Sequence, residues 1–206
     1  MPRKIDVALL KKTSERRIDQ IIKRVQDAEK AKFDYLLVRW ICQMSAVEIH
    51  AVWERYVEGR LVAALNHDAS NFLTAQNIKG VTHVSYGLAT YIVRGGNRYF
   101  DFRSIGDLVG KADRWLGKTK NVFRHINKSD QKYVDALASI RNCVVHDSDA
   151  ALESYKYHLL QVYGIKASPE PDEFLNAKDN RAASPAPKER RLKGLAVVLK
   201  RCIQHT

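Results

Sequence analysis

The sequence is poor in the residues that define several classes of protein. Its 206 residues include three cysteines, Cys42, Cys143 and Cys202, which are widely spaced and odd in number. That pattern fits neither a disulfide framework nor a zinc site. Ten glycines and five prolines are too few for a fibrous or largely disordered chain. A hydrophobic content of 45% therefore predicts a folded domain.

Long apolar runs are also missing. The longest regular run, Leu195 to Leu199, is far below the roughly 18 residues that a membrane span needs. The first residues lead into a charged amphipathic segment without the apolar core of a secretory signal. We therefore expect no membrane partner and a cytoplasmic location, where cysteines stay reduced.

The charge is strongly unbalanced in the positive direction. Thirty-five Lys and Arg residues against 23 Asp and Glu residues give a formal net charge of +12. Binding of such a protein to nucleic acid is favoured because neutralised phosphates release condensed counterions. The composition thus indicates RNA or another nucleic acid as a partner, with ordinary solubility as the alternative.

Apolar periodicity predicts an all-helical chain. Residues 18, 21, 22 and 25 have helical spacing, so 1–30 is interpreted as a basic N-terminal helix. A longer helical pattern runs from about Phe33 to Leu65. Ser104 and Gly117 have the residue types that begin and end a helix, and a helix after Asp147-Ser148-Asp149 would end at Gly164. Residues 31–165 are predicted to form one helical domain.

One β-rich stretch interrupts this pattern. Two short runs, 90–93 and 98–102, contain aromatic and β-branched residues and flank Gly95-Gly96. A Gly pair between such runs is typical of a tight turn. We therefore predict a small β-hairpin insertion that packs on the helices.

The C-terminal part changes composition. Four of the five prolines lie in 166–188, which is predicted to be a linker. Residues 189–206 then form a basic helix that could dock on the domain, contact a partner or bind RNA. We predict that it binds nucleic acid through five cations: Arg190, Arg191, Lys193, Lys200 and Arg201.

The segment Tyr133–His146 is the most informative in the chain. On a helix, Arg141 falls within an apolar arc, where an arginine needs a partner or an interface. Asn142 and His146 are four residues apart and share a face. An imidazole suits proton transfer near neutral pH and a guanidinium suits phosphate binding. The alternatives are an ion pair between Arg141 and Glu48 and a capping role for His146.

Two further interpretations of this region are weaker. His125, His146, Asp147 and Asp149 are metal-ligating residue types, but a turn rich in Asp is normally a helix cap. Ser148 near a His and an Asp lacks the local motif of a hydrolase nucleophile. No metal and no cofactor are therefore predicted.

The motif Arg141-Asn142-Cys-Val-Val-His146, late in a helix and followed by a polar turn and another helix, resembles the signature of the HEPN superfamily. Residues 48–56 resemble the acidic second helix of those domains. Residues 98–104 resemble the insertion in the RiboL-PSP-like branch. The likeness covers about Phe33 to Val162.

The resemblance implies an up-and-down bundle of four to five core helices that forms a homodimer with a composite site between the subunits. It also implies a metal-independent endoribonuclease, acting as a toxin or phage-defence effector with a cognate antitoxin or defence partner. Arg141, Asn142 and His146 would be catalytic, with Glu48 and Asp147 as supporting residues. RNA would be cleaved to 2′,3′-cyclic phosphate and 5′-hydroxyl ends. The alternatives are an RNA- or nucleotide-binding module without catalysis and a regulatory dimeric scaffold.

Overall fold

The computed structural model describes residues 4–146 and 148–206 of the chain. These residues form nine α-helices, a 3-10 turn at Val122–His125 and no strand, so the all-α prediction is confirmed. A single isolated β-bridge joins Lys178 to Arg190. The helices are α1 Val7–Lys30, α2 Tyr35–His67, α3 Ser70–Ala75, α4 Tyr86–Arg94, α5 Ile105–Leu116, α6 Lys128–Val145, α7 Asp149–Tyr163, α8 Pro171–Asn176 and α9 Arg191–His205.

Local capping interactions set several helix ends. The Ser104 hydroxyl accepts a hydrogen bond from the Asp107 amide at the start of α5, and Gly117 follows its last residue. The Ser148 hydroxyl accepts from the Ala151 amide at the start of α7, and Gly164 ends that helix with φ 67°. These side chains satisfy backbone groups that have no partner within a helix. The predicted caps of both helices are confirmed.

The long helix α2 lies at the centre of the fold. It packs against α1, α4, α5, α6, α8 and α9. Its buried residues therefore occur on nearly every side, including the consecutive Leu61, Val62 and Ala63 and the large Trp53 and Tyr56. Within the described part of the chain, no helix combines the length and apolarity needed to cross a membrane.

The predicted β-hairpin is wrong. Residues 90–93 belong to α4, whose first turn is capped by the Ser85 hydroxyl accepting from the Leu88 amide. Ala89 and Val93 are buried one turn apart on the face of α4 that packs on α2. Gly95, with φ 60°, is the left-handed residue that ends the helix. A Gly pair suits a helix end as well as a hairpin turn, and burial of the amphipathic face stabilises the helix.

The segment 166–188 contains structure where composition indicated a linker. Helix α8 begins with Pro171 at its first position, and its Phe174 and Leu175 are fully buried. The Phe174 ring packs edge-on against Tyr155 and Tyr163 of α7. The segment is therefore anchored through aromatic contacts, although most of its other residues are polar or small.

Helix α9 docks back on the bundle, against α1, α2, α6 and α8. Its apolar side chains Leu192, Leu195, Leu199 and Ile203 are buried. Arg201 forms an ion pair with Asp130 in the first turn of α6, and the Asp130 carboxylate is itself buried. This contact fixes the start of α6, the helix that carries the Arg141 motif.

Replacing Arg201 should destabilise the fold because it leaves the buried Asp130 carboxylate without its cation. For Arg201→Ala we expect a loss of about 2 kcal/mol in the free energy of unfolding, since the guanidinium is partly exposed and a fully buried pair costs about 3–5 kcal/mol to break. Urea unfolding at neutral pH measures it. Lys200→Ala is the matched control, because Lys200 pairs with the exposed Asp19 and should lose less than about 0.5 kcal/mol. Equal losses in the two variants would contradict this role of Asp130.

Candidate active site

The three residues of the sequence motif meet at the C-terminal end of α6. Arg141 Nη1 donates to Asn142 Oδ1 at 2.9 Å and lies 3.3 Å from His146 Nε2. His146 is the residue after the helix, and its backbone amide donates to the Asn142 carbonyl at 2.8 Å. Because a guanidinium can only donate hydrogen bonds, the facing Nε2 of His146 is an acceptor in this contact. Guanidinium, amide and imidazole are thus in direct contact.

These residues line a cleft of about 690 Å³. One wall is α6, a second is the middle of α2, and a third is the segment 99–104 that leads into α5. Such a volume is within the usual range for small-molecule sites. Its charged and histidine residues are His50, Glu54, Arg55, Glu58, Asp101, Arg103, Asp135, Arg141 and His146.

Glu58 holds the third wall in place. Its carboxylate accepts from Arg94 Nε at 2.9 Å and Nη2 at 2.6 Å, and from the Phe100 backbone amide at 3.2 Å. These contacts join α2 to the end of α4 and to the segment 99–104. Glu58 is therefore a positioning residue, and its charge is already balanced.

Two carboxylates of the cleft have shifted pKa values of opposite sign. Burial alone would raise the pKa of Glu54, but its neighbour His50 and the positive charges of Arg141 and Arg55 outweigh this effect and lower the pKa. Burial raises the pKa of Asp135, although its carboxylate accepts from the Ile105 amide at 2.8 Å. Carboxylates with divergent pKa values in one cleft are typical of functional sites.

The other predicted supporting residues are placed differently. Glu48 pairs with Arg17 and Arg24 of α1 and does not line the cleft. It therefore joins neither the predicted site nor the alternative ion pair with Arg141. Glu54, six residues later on α2, is the carboxylate that lies near Arg141. Asp147 lies outside the described residues.

The five cations of the C-terminal helix have partners within the chain. Arg190 pairs with Glu29, Lys193 with Glu189, Lys200 with Asp19 and Arg201 with Asp130. Arg191 lies 4.7 Å from the centre of the Phe174 ring. All except Lys193, whose partner is four residues away in the same segment, connect the C-terminal segment to other elements. The cleft does not include any of the five.

Sequence reasoning missed the cleft residues that lie outside α6. His50 and Glu54 are one turn apart on α2, a spacing that places them on one face. Nothing in that spacing indicates that the face meets α6, because α2 is buried on most sides. Tyr99 lay within the expected hairpin and Arg103 directly after it, so their position at the cleft was also unexpected.

Comparisons of the chain with protein-family models, curated proteins and solved structures gave no match. In residues 4–146 and 148–206, no three His, Cys, Asp or Glu side chains are grouped as a metal-binding cluster. A function must therefore be argued from the geometry and chemistry of the cleft.

Burial of Asp135 predicts a pH-dependent change in stability. A raised pKa means that the charged form is disfavoured in the folded state. The buried charge therefore lowers the free energy of unfolding at pH values above the raised pKa, and it has no effect well below the ordinary value of 3.8. We expect Asp135→Asn, which keeps the acceptor for the Ile105 amide, to be more stable than wild type at pH 7 and equal to it near pH 3. Urea unfolding at both pH values measures the difference.

Asp113→Asn provides a control of opposite sign. The pKa of Asp113 is lowered, mainly by its hydrogen bond with Arg124. The ionised carboxylate therefore stabilises the fold above pH 3.8, and this stabilisation is lost as the pH falls through the lowered pKa. This variant should be less stable than wild type at pH 7. A loss of stability at pH 7 in Asp135→Asn as well would contradict the cost assigned to the buried carboxylate.

Proposed function

We propose that this chain is a metal-independent endoribonuclease of the HEPN type, with Arg141, Asn142 and His146 as catalytic residues. One observation carries the proposal: Arg141 contacts both Asn142 and His146 at the wall of an open cleft. The partners of Arg141 Nη1 there are an amide and an imidazole, so no carboxylate occupies this nitrogen. A phosphate could therefore bind the guanidinium beside a proton-transfer group.

The chemistry follows from the residue types. The 2′-oxygen of a ribose attacks the adjacent phosphorus, the bond to the 5′-oxygen breaks, and the products are a 2′,3′-cyclic phosphate and a 5′-hydroxyl. His146 takes the 2′-hydroxyl proton or gives a proton to the leaving oxygen. Arg141 stabilises the charge that develops on the phosphorane oxygens, and Asn142 orients the phosphate or the imidazole.

Substrate binding is assigned to the other walls of the cleft. Arg55 and Arg103 are exposed and suit phosphates that flank the scissile one. Tyr99, at the same cleft, is 68% exposed, and a base can stack on such a ring. Single-stranded RNA is the substrate class that presents both a mobile backbone and unstacked bases.

A second candidate is a nucleotide- or RNA-binding module without catalysis. It is favoured by the carboxylates of the cleft, because Glu54, Asp101 and Asp135 can accept hydrogen bonds from sugar hydroxyls and base amines. The HEPN resemblance also implies a homodimer, a toxin or defence setting and an antitoxin. We propose these three for the ribonuclease and for the binding module alike.

Loss of Arg141 or His146 should abolish RNA cleavage. Purified protein is incubated with end-labelled single-stranded RNA and tRNA in EDTA. We expect wild type to give cyclic-phosphate ends, and Arg141→Ala and His146→Ala to be slower by at least about 100-fold, as for loss of a proton-transfer or charge-stabilising group. His125→Ala is the control, because this exposed histidine lies outside the cleft. RNA binding by wild type without any cyclic-phosphate product would favour the binding module.

Changes at the third wall should weaken binding rather than the chemical step. Removing one stacked base or one phosphate contact costs about 1–3 kcal/mol, so Tyr99→Ala and Arg103→Ala should raise KM or Kd for RNA by roughly tenfold with kcat little changed. Tyr91→Ala is the matched control, because this tyrosine is 66% exposed on α4 but does not line the cleft. An equal effect of all three changes would show that the segment 99–104 is not part of the binding site.

A further inference from the structure

The imidazole of His50 is buried in the wall of the cleft without a full set of partners. His50 is only 6% exposed, and its Nδ1 atom has no hydrogen-bond partner among the described residues. A buried polar atom without a partner is costly and therefore calls for an explanation. His50 also lines the same cleft as Arg141 and His146.

A carboxylate one helical turn away lies close to this nitrogen. Glu54 Oε1 lies 3.7 Å from His50 Nδ1, just beyond hydrogen-bond distance. Glu54 also lies within the field of the Arg141 guanidinium, which with His50 keeps its pKa low and the carboxylate ionised. Catalytic hydrogen bonds are often long without substrate and shorten when it binds. His50, Glu54 and Arg141 therefore form one electrostatic group across α2 and α6.

We propose that His50 is the second proton-transfer residue of this cleft, held by Glu54, so that one chain carries both the base and the acid for RNA cleavage. The inference rests on the ribonuclease proposed above. It adds a catalytic residue from α2 to the three from the end of α6, and it makes Glu54 a positioning residue that acts through His50.

Hydrogen-bond geometry divides the two roles. Arg141 can only donate, so His146 Nε2 presents a lone pair and is the base that takes the 2′-hydroxyl proton. A carboxylate can only accept, so Glu54 selects the Nδ1–H form of His50 and leaves Nε2 to carry the proton that is transferred. His50 then gives one proton to the 5′-oxygen as the phosphorus–oxygen bond breaks. Exchange with water restores both rings after product release.

Other ionisable groups of the cleft are less suited to protonate the leaving oxygen. Asp135 already accepts from the Ile105 amide, and Glu58 is bound to Arg94 and the Phe100 amide. Asp101 is exposed on the third wall. The remaining charged side chains that face the cleft from α2, from the segment 99–104 and from α6 are permanently cationic: Arg55, Arg103 and Arg141.

A substrate with a better leaving group tests this role. Cleavage rates are compared in EDTA for an RNA with the ordinary 5′-oxygen and for the same RNA with a bridging 5′-sulfur at the scissile position. A thiolate leaves without protonation because thiols are far more acidic than alcohols. We expect His50→Ala to be slower by about 100-fold or more on the oxygen substrate and within about fivefold of wild type on the sulfur substrate. His146→Ala should be slow on both.

Further variants keep the test independent of folding. Glu54→Gln changes the side-chain volume less than His50→Ala does. Its cleavage rate should be about tenfold below wild type on the oxygen substrate and close to wild type on the sulfur substrate. His125→Ala should match wild type on both. If His50→Ala cleaves the oxygen substrate at the wild-type rate, the role of His50 is overturned but the ribonuclease proposal is not. Equal losses on both substrates in His50→Ala and Glu54→Gln would overturn this role too. No cleavage of either substrate by wild type would overturn the ribonuclease, and this inference with it.

Discussion

The contact between α2 and α6 is the constraint on which the cleft depends. Arg141 and His146 come from α6, His50 and Glu54 from α2, and only the packing of these two helices places the four side chains around one space. The start of α6 is fixed by the Asp130–Arg201 pair, whose arginine is far from the motif in sequence. Separating the two would leave the buried Asp130 carboxylate without its cation, so this pair holds the start of α6 against α9.

Several cations of α1 and of the C-terminal segment make internal contacts. Arg190, the residue before α9, pairs with a carboxylate, as do Lys193, Lys200 and Arg201 within the helix, and Arg191 lies over an aromatic ring. These five cations therefore have partners within the chain. Arg17 and Arg24 of α1 are occupied by Glu48 in the same way. The net charge therefore indicates attraction to a polyanion over a distance but does not locate the binding site. The cleft cations Arg55, Arg103 and Arg141 are better placed for local binding.

Local signals predicted the parts of the fold that depend on neighbours in sequence. Ser104, Ser148 and Gly164 act at helix ends, where capping involves residues a few positions apart. The grouping of Arg141, Asn142 and His146 also follows from spacing on one helix. The hairpin was wrong because burial of α4 on α2 is a tertiary effect. Glu48 and Glu54 are the same residue type on the same helix, but at 100° per residue they point in different directions, and only packing selects Glu54 for the cleft.

The most direct measurement is a structure of the chain with a short RNA whose reactive 2′-hydroxyl is blocked by methylation. We predict that the scissile phosphate lies in the cleft, with a non-bridging oxygen about 3 Å from the Arg141 guanidinium. The 2′-oxygen should lie beside His146 and the 5′-oxygen beside His50. An RNA bound along α9 or α1, with Arg141 and His146 free of the phosphate, would contradict the proposed ribonuclease site.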